Sequence, residues 1–203
     1  MQNKTLNRGS LFILLMFLNS TFPASAEKLI VFRPAQLGAP TQRIGGGTRS
    51  FQKVPKIQLL APPQTGLTKR AAPTLYWYSS TLSLYNVEFS LELEDENQTV
   101  LDVKLGTVNS PGIQVIRLSE LGVKLKPDQI YRWTVVLSSD KEPDANLLFS
   151  NATISRKTPT LPLNNVADLA EAGYWYDALE KLIEKNKSEQ VDDLLAQVGI
   201  ALQ

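Results

Sequence analysis

The sequence predicts a two-layer antiparallel β-sandwich followed by a short helical segment. Three observations predict it. Val87, Phe89, Leu91 and Leu93 alternate with Glu88, Ser90, Glu92 and Glu94, a period of two that buries one face of a strand and wets the other. Further short runs of the same character recur between turn signals from about Val54 to Thr158. Past the stiff stretch Pro159 to Pro162, the apolar period lengthens to that of a helix.

The elements follow in chain order. Lys4 and Arg8, the apolar run Leu11–Leu18 and the small residues Ala24-Ser25-Ala26 have the layout of a secretory signal peptide cleaved after Ala26. The apolar run falls far short of the roughly 20 residues that cross a bilayer. The chain is therefore expected to be periplasmic or extracellular, with no transmembrane segment after cleavage.

Glu27 to about Lys53 carries Pro34, Gly38, Pro40 and Gly45-Gly46-Gly47, which predicts an extended or disordered arm. Leu29-Ile30-Val31-Phe32 is its only candidate for ordered pairing. Lys28, Arg33, Arg43, Arg49 and Lys53 stand against Glu27 alone, so the arm has a net charge of +4. From Val54 to Gln203, 14 Lys/Arg stand against 19 Asp/Glu, a net charge of −5. Such asymmetry predicts an arm that docks on its own acidic body or reaches an anionic glycan or lipid surface.

Candidate strands span Lys56–Ala61, Thr74–Ser79, Val87–Glu94, Thr99–Leu105, Gly112–Leu118, Gln129–Ser138 and Asn146–Arg156. Asp95–Gln98 supplies a turn. On the fourth strand Thr99, Leu101, Val103 and Leu105 are expected on the inner face. The string Leu125-Lys126-Pro127-Asp128-Gln129-Ile130-Tyr131 has the L-x-P-x-x-x-Y form found in fibronectin type III and related immunoglobulin-like domains. In those the tyrosine hydroxyl bonds back to upstream backbone. Trp133 shares the facing of Tyr131, and Trp77 is expected opposite them in the core. The alternative is that tryptophans form an exposed platform for stacking sugars.

In the helical segment, Asn165 with Asp168 three residues on predicts an N-terminal cap, and Gly173 a helix end. Val166, Leu169 and Ala170 would line the first helix, and Leu179, Leu182 and Ile183 the second. Ser188 is expected to cap a third helix carrying Val191, Leu194, Leu195 and Val198. Gly173-Tyr174-Trp175-Tyr176-Asp177-Ala178-Leu179 resembles the turn of tetratricopeptide helical hairpins. One unit cannot make a stable array, which needs about three. A cap on the sandwich or a dimer contact is the expected use. The predicted organisation is thus a signal peptide (1–26), a basic arm (27–53), a sandwich (54–158) and a helical hairpin with a terminal helix (159–203).

Composition narrows the chemistry. There is no His and no Cys, which removes Ser-His-Asp and Cys-His catalysis, imidazole-bound zinc and disulfides. The glycines after Arg43 lack the Gly-Lys-Ser/Thr ending and following helix of a phosphate loop. They are expected to let backbone lie close to another surface. Asp140-Lys141-Glu142-Pro143-Asp144 spaces oxygen ligands at alternate positions but lacks the central Gly and distal Glu of a calcium loop. An acidic hairpin loop is the simpler reading. No carboxylate pair is set apart as acid and base, so no enzyme and no cofactor is predicted. The acidic body and the predicted export disfavour nucleic acid. The candidate interaction residues are Arg43, Gly45, Gly46, Gly47, Arg49, Trp175 and Tyr176.

Four strings together carry a further likeness: G-A-P-x-x-R-x-G-G-G-T-R (Gly38–Arg49), P-T-L-x-W-Y (Pro73–Tyr78), Y-x-W (Tyr131–Trp133) and G-x-W-Y-D-A-L (Gly173–Leu179). The chain resembles a family found chiefly in cyanobacteria, domain of unknown function number 928. The resemblance implies a cyanobacterial envelope or periplasmic setting and no known activity. A non-enzymatic binding or scaffolding protein is the expected function, with another envelope protein as partner. The alternative is a carbohydrate or cell-wall binding module using exposed aromatics.

Overall fold

The computed structural model describes residues 28–35, 37, 43–45, 56–138 and 148–202. The predicted signal peptide, Gly46, Gly47, Arg49 and the acidic loop Asp140–Asn146 lie outside the described residues.

Nine strands are described: β1 (Arg43–Gly45), β2 (Ile57–Leu59), β3 (Gly66–Thr68), β4 (Thr74–Ser79), β5 (Ser83–Leu93), β6 (Gln98–Val108), β7 (Gly112–Arg117), β8 (Ile130–Ser138) and β9 (Leu148–Arg156). Three helices follow: α1 (Val166–Glu171), α2 (Trp175–Glu184) and α3 (Ser188–Ala196). One sheet runs β1-β9-β8-β5-β6, with β3 also on β9; the other runs β2-β4-β7. All pairings are antiparallel except that of β3 with β9. The chain passes from one sheet to the other at every step from β1 to β5, and again between β6 and β7 and between β7 and β8.

Alternation decides which side chains form the core. On β8, Tyr131, Trp133, Val135 and Leu137 are buried while the residues between them are half-buried. Their partners on β5, Leu93, Leu91, Phe89 and Val87, are buried in the same row. Trp77 on β4 is buried too, in the facing sheet. At the entry to β8 the Tyr131 hydroxyl accepts the Lys126 amide at 3.1 Å, the expected bond back to upstream backbone.

The sequence reading needs correction in four places. β1 and β3 are strands that it omits, and β1 makes Arg43–Gly45 a second ordered piece of the predicted arm. Each has three residues, too few to display a period, and each is held by β9 rather than by its own propensity. On β6 the expected inner row is incomplete: Leu101 and Val103 are half-buried, whereas Thr99 and Leu105 are exposed. The register shifts on either side of Leu101–Lys104, leaving Val100 and Leu105 without partners on β5, so the simple alternation breaks there. Finally, Ser188 is the first residue of α3 and makes no cap. Lys187 holds that position without a side-chain bond. Asn186, at φ +53, turns the chain sharply out of α2 and leaves only Lys187 before α3 begins.

The N-terminal cap of α1 is as expected, with Asn165 Oδ1 accepting the Asp168 amide at 2.8 Å. Gly173 ends the turn after α1 at φ +82, and a Cβ there would stand 3.1 Å from Ala35 Cβ and 3.2 Å from Arg33 O. Both left-handed backbone and close approach therefore require glycine at this point. Buried side chains from Phe32, both sheets and all three helices form one continuous core cluster.

Candidate interaction surface

α2 is the plug of the fold. Its first residues are buried on nearly every side because they enter the sandwich at the β3 end. Trp175 donates its indole N–H to Leu60 O at 2.8 Å. The Tyr176 hydroxyl accepts from Trp133 Nε1 at 2.9 Å and donates to Thr153 O at 3.0 Å. Gly66 lets the helix come this close, since a Cβ on it would lie 2.8 Å from Tyr176 Cε2. Burial raises the Tyr176 phenol above its ordinary pKa, so the hydroxyl stays protonated and available to donate.

The same helix buries two carboxylates. Asp177 Oδ2 accepts the Lys69 amide at 3.0 Å, while Oδ1 is buried without a hydrogen bond. Burial pushes the Asp177 pKa up, and the Lys69 amide and the nearby Thr68 hydroxyl oppose that shift. Glu180 accepts Thr74 Oγ1 at 2.6 Å and pairs with Arg70. Close by, Tyr76 is pushed up to about 12, by burial first and then by the charge of Glu180. These groups tie α2 to β3, β4 and the segment between them. Each serves the docking of the helix.

An N-terminal strap crosses the outside of this plug. Lys28 Nζ meets Asp168 Oδ1 at 3.0 Å and Glu171 Oε2 at 3.1 Å, and Arg33 reaches Glu171 at 3.4 Å. The bond to Asp168, then that to Glu171, raises the Lys28 pKa. Gln197 acts as a side-chain clamp: its Oε1 accepts the Phe32 amide at 2.8 Å and its Nε2 donates to Ile30 O at 3.0 Å. Arg33 N–H bonds to Ala170 O at 3.1 Å. Phe32 is buried, with its ring edge-on to Trp175 at 4.8 Å between centroids. The strap thus follows a period of two: Ile30 and Phe32 turn inward, while Leu29 is 80% and Val31 41% exposed. A groove of about 610 Å³ between the strap and α3 is lined by Lys28–Val31, Gln190, Asp193 and Gln197. Farther along, Ala35 and Leu37 border a second groove of about 390 Å³ that Leu161, Leu163 and Tyr174 also line.

The structure separates the residues that the sequence grouped as interaction candidates. Arg43 and Gly45 lie on β1, opposite Asn151 and Phe149 of β9. Gly46, Gly47 and Arg49 lie outside the described residues. Trp175 and Tyr176, 0% and 1% exposed, spend their contacts inside the molecule, because the hairpin turn faces the sandwich. Trp77 and Trp133 are buried as well. Sequence reasoning missed Gln197, which resembles any surface glutamine, and it missed the role of Leu29 and Val31. Leu29–Phe32 is apolar at every position, so the sequence carried no signal of which of its side chains would face outward. Among the described residues, no three of His, Cys, Asp or Glu stand together in a metal-binding group, and no helix is long and apolar enough to cross a membrane.

Residues 44–201, from within β1 to just past α3, match the model of the family described as Domain of Unknown Function (DUF928). The chain belongs to that family. The DUF928 match thus spans both sheets and the helical plug as one unit, in keeping with the continuous core. Neither a curated protein nor a solved structure matches the chain.

Proposed function

We propose that the protein is exported to the periplasm or cell exterior, catalyses no reaction and binds or scaffolds another protein of a cyanobacterial envelope. The binding surface in this reading is the strap with the groove beside α3. The observation that carries it is the way the strap is held. Gln197 pins one backbone edge of Ile30–Phe32, while Leu29 and Val31 remain exposed over an open groove. Among the described residues the backbone groups of Leu29 and Val31 form no hydrogen bond, so an extended peptide has an edge to pair with. The strap starts directly after the predicted cleavage point at Ala26. Its cations are already engaged by Asp168 and Glu171, which favours a protein partner over an anionic lipid or glycan.

We also infer that the sandwich is of the immunoglobulin and fibronectin type III kind, with a tetratricopeptide-like hairpin as its plug. The Tyr131 bond supports the first. So does the division of β2, β4–β9 into three strands facing four with repeated crossings between sheets, although β6 lies beside β5 where constant-type immunoglobulin domains place it in the other sheet. Gly173 at φ +82 and the fully buried Ala178 support the second.

A photo-crosslinking residue placed at Leu29 tests the functional reading in the native host. A discrete crosslinked envelope protein, absent when the probe sits at exposed Glu120, is the expected result. Tight binding of purified cell-wall glycan with no protein crosslink would replace it with the carbohydrate reading.

A further inference from the structure

The two long edges of the larger sheet are treated differently. β9 is closed along its far side by β1 at Phe149–Asn151 and by β3 at Ile154–Arg156. β6, an 11-residue strand, has β5 on one side and, among the described residues, nothing on the other. An open edge of that length is a template for another strand unless charge, proline or distortion blocks it.

β6 has no proline, and its charges form a self-matching set. Between its two register shifts lies the regular stretch Leu101–Lys104. Leu101 and Val103 face the core side and are half-buried; Asp102 and Lys104 face outward and are exposed. Leu105, 39% exposed, adds an apolar side chain at the end of this stretch. Val103 is the centre of a palindrome of character. Leucines stand two residues away on both sides, with an acid one residue before and a base one residue after.

We infer that β6 is a self-association edge, pairing antiparallel with β6 of a second copy about a two-fold axis at Val103. That register sets Asp102 opposite Lys104 of the second copy, and Lys104 opposite its Asp102. Val103 meets Val103 on the other face, and Leu101 comes level with Leu105 at the end of the regular stretch. Antiparallel neighbours directly opposite share a face, so a one-residue slip would set charge against apolar side chain and is excluded. Asp102 has no ion pair among the described residues, and Lys104 has only a 3.9 Å approach to Glu88. That glutamate also accepts Ser138 Oγ at 2.6 Å, and the Lys104 side chain is 67% exposed, so Asp102 of a second copy competes with Glu88 for it. Pairing also covers apolar surface of Leu101, Val103 and Leu105 that the shorter sheet leaves open. The result is one sheet continuous across two copies, with an isologous interface.

Sedimentation equilibrium of the purified protein tests this by charge exchange. Wild type is expected to show a reversible, concentration-dependent monomer–dimer equilibrium. D102K places like charges opposite each other at both symmetric sites, as does K104D, and each should weaken the dimer by about tenfold. Mixing the two variants restores opposite charges at both sites, so the mixture should form heterodimers about as tight as wild type. The double variant D102K/K104D should likewise recover the homodimer. Both substitutions are on an exposed face, and unchanged thermal melts would verify folding. A wild-type protein monomeric at every concentration would overturn the proposal. So would single variants that dimerise like wild type, or a mixture that gains nothing.

Discussion

The β9 side and the β6 side of the larger sheet show two ways to finish a strand edge. On the β9 side, short strands with little strand character of their own, Arg43–Gly45 and Gly66–Thr68, are recruited over the edge. Beside them a helical hairpin is driven into the end of the sandwich and strapped down by the chain ahead of the first strand. On the β6 side the strand is long, locally distorted at two points and exposed. The difference teaches where stability is concentrated: buried aromatic and polar contacts gather at the plugged side, while the open side is left available for association.

If stability is concentrated there, Trp175→Ala should give the largest loss. It removes a fully buried indole, its contact with Phe32 and the bond to Leu60 O, and should cost about 3–5 kcal/mol in denaturant unfolding. Tyr176→Phe keeps the ring but removes the hydroxyl that accepts from Trp133 Nε1 and donates to Thr153 O. A loss of about 1–3 kcal/mol is expected by the same measurement. Gln197→Ala should cost about 1 kcal/mol, releasing two strap bonds at the surface, and should speed amide exchange at Phe32. Substitutions at Asp102 or Lys104 should leave monomer stability within about 0.5 kcal/mol, since both side chains face solvent.

Asp177 adds a pH test of the plug. Its folded pKa is raised by burial above the ordinary 3.8, so the native state holds this proton more tightly than the unfolded chain does. The group's stabilising contribution is complete below pH 3.8 and is lost as pH rises through the folded value. Asp177→Asn should remove that decline. Its stability, measured from pH 4 upward relative to wild type, should gain with pH and then level off.

The sandwich was legible wherever a strand was long enough to show its period and lay between two layers, as in Val87–Leu93 and Tyr131–Leu137. The Leu-x-Pro-x-x-x-Tyr string even foretold a specific hydrogen bond at Tyr131. Legibility failed where a neighbour rather than local sequence makes the structure. β1 and β3 exist because β9 offers them an edge, and the exposure of Leu105 follows from a register shift that composition does not encode. At the candidate site, the aromatic turn Gly173–Leu179 was visible but its direction was not. That direction depends on Gly66, more than a hundred residues earlier in the chain, leaving room for Tyr176.

Native-state hydrogen exchange across a denaturant series tests most directly whether sandwich and helices share one core. Amides of α2 and β8 should converge on a common opening free energy, equal to that of global unfolding. Exchange of α2 through a separate, substantially less costly opening, with β8 still protected, would contradict it.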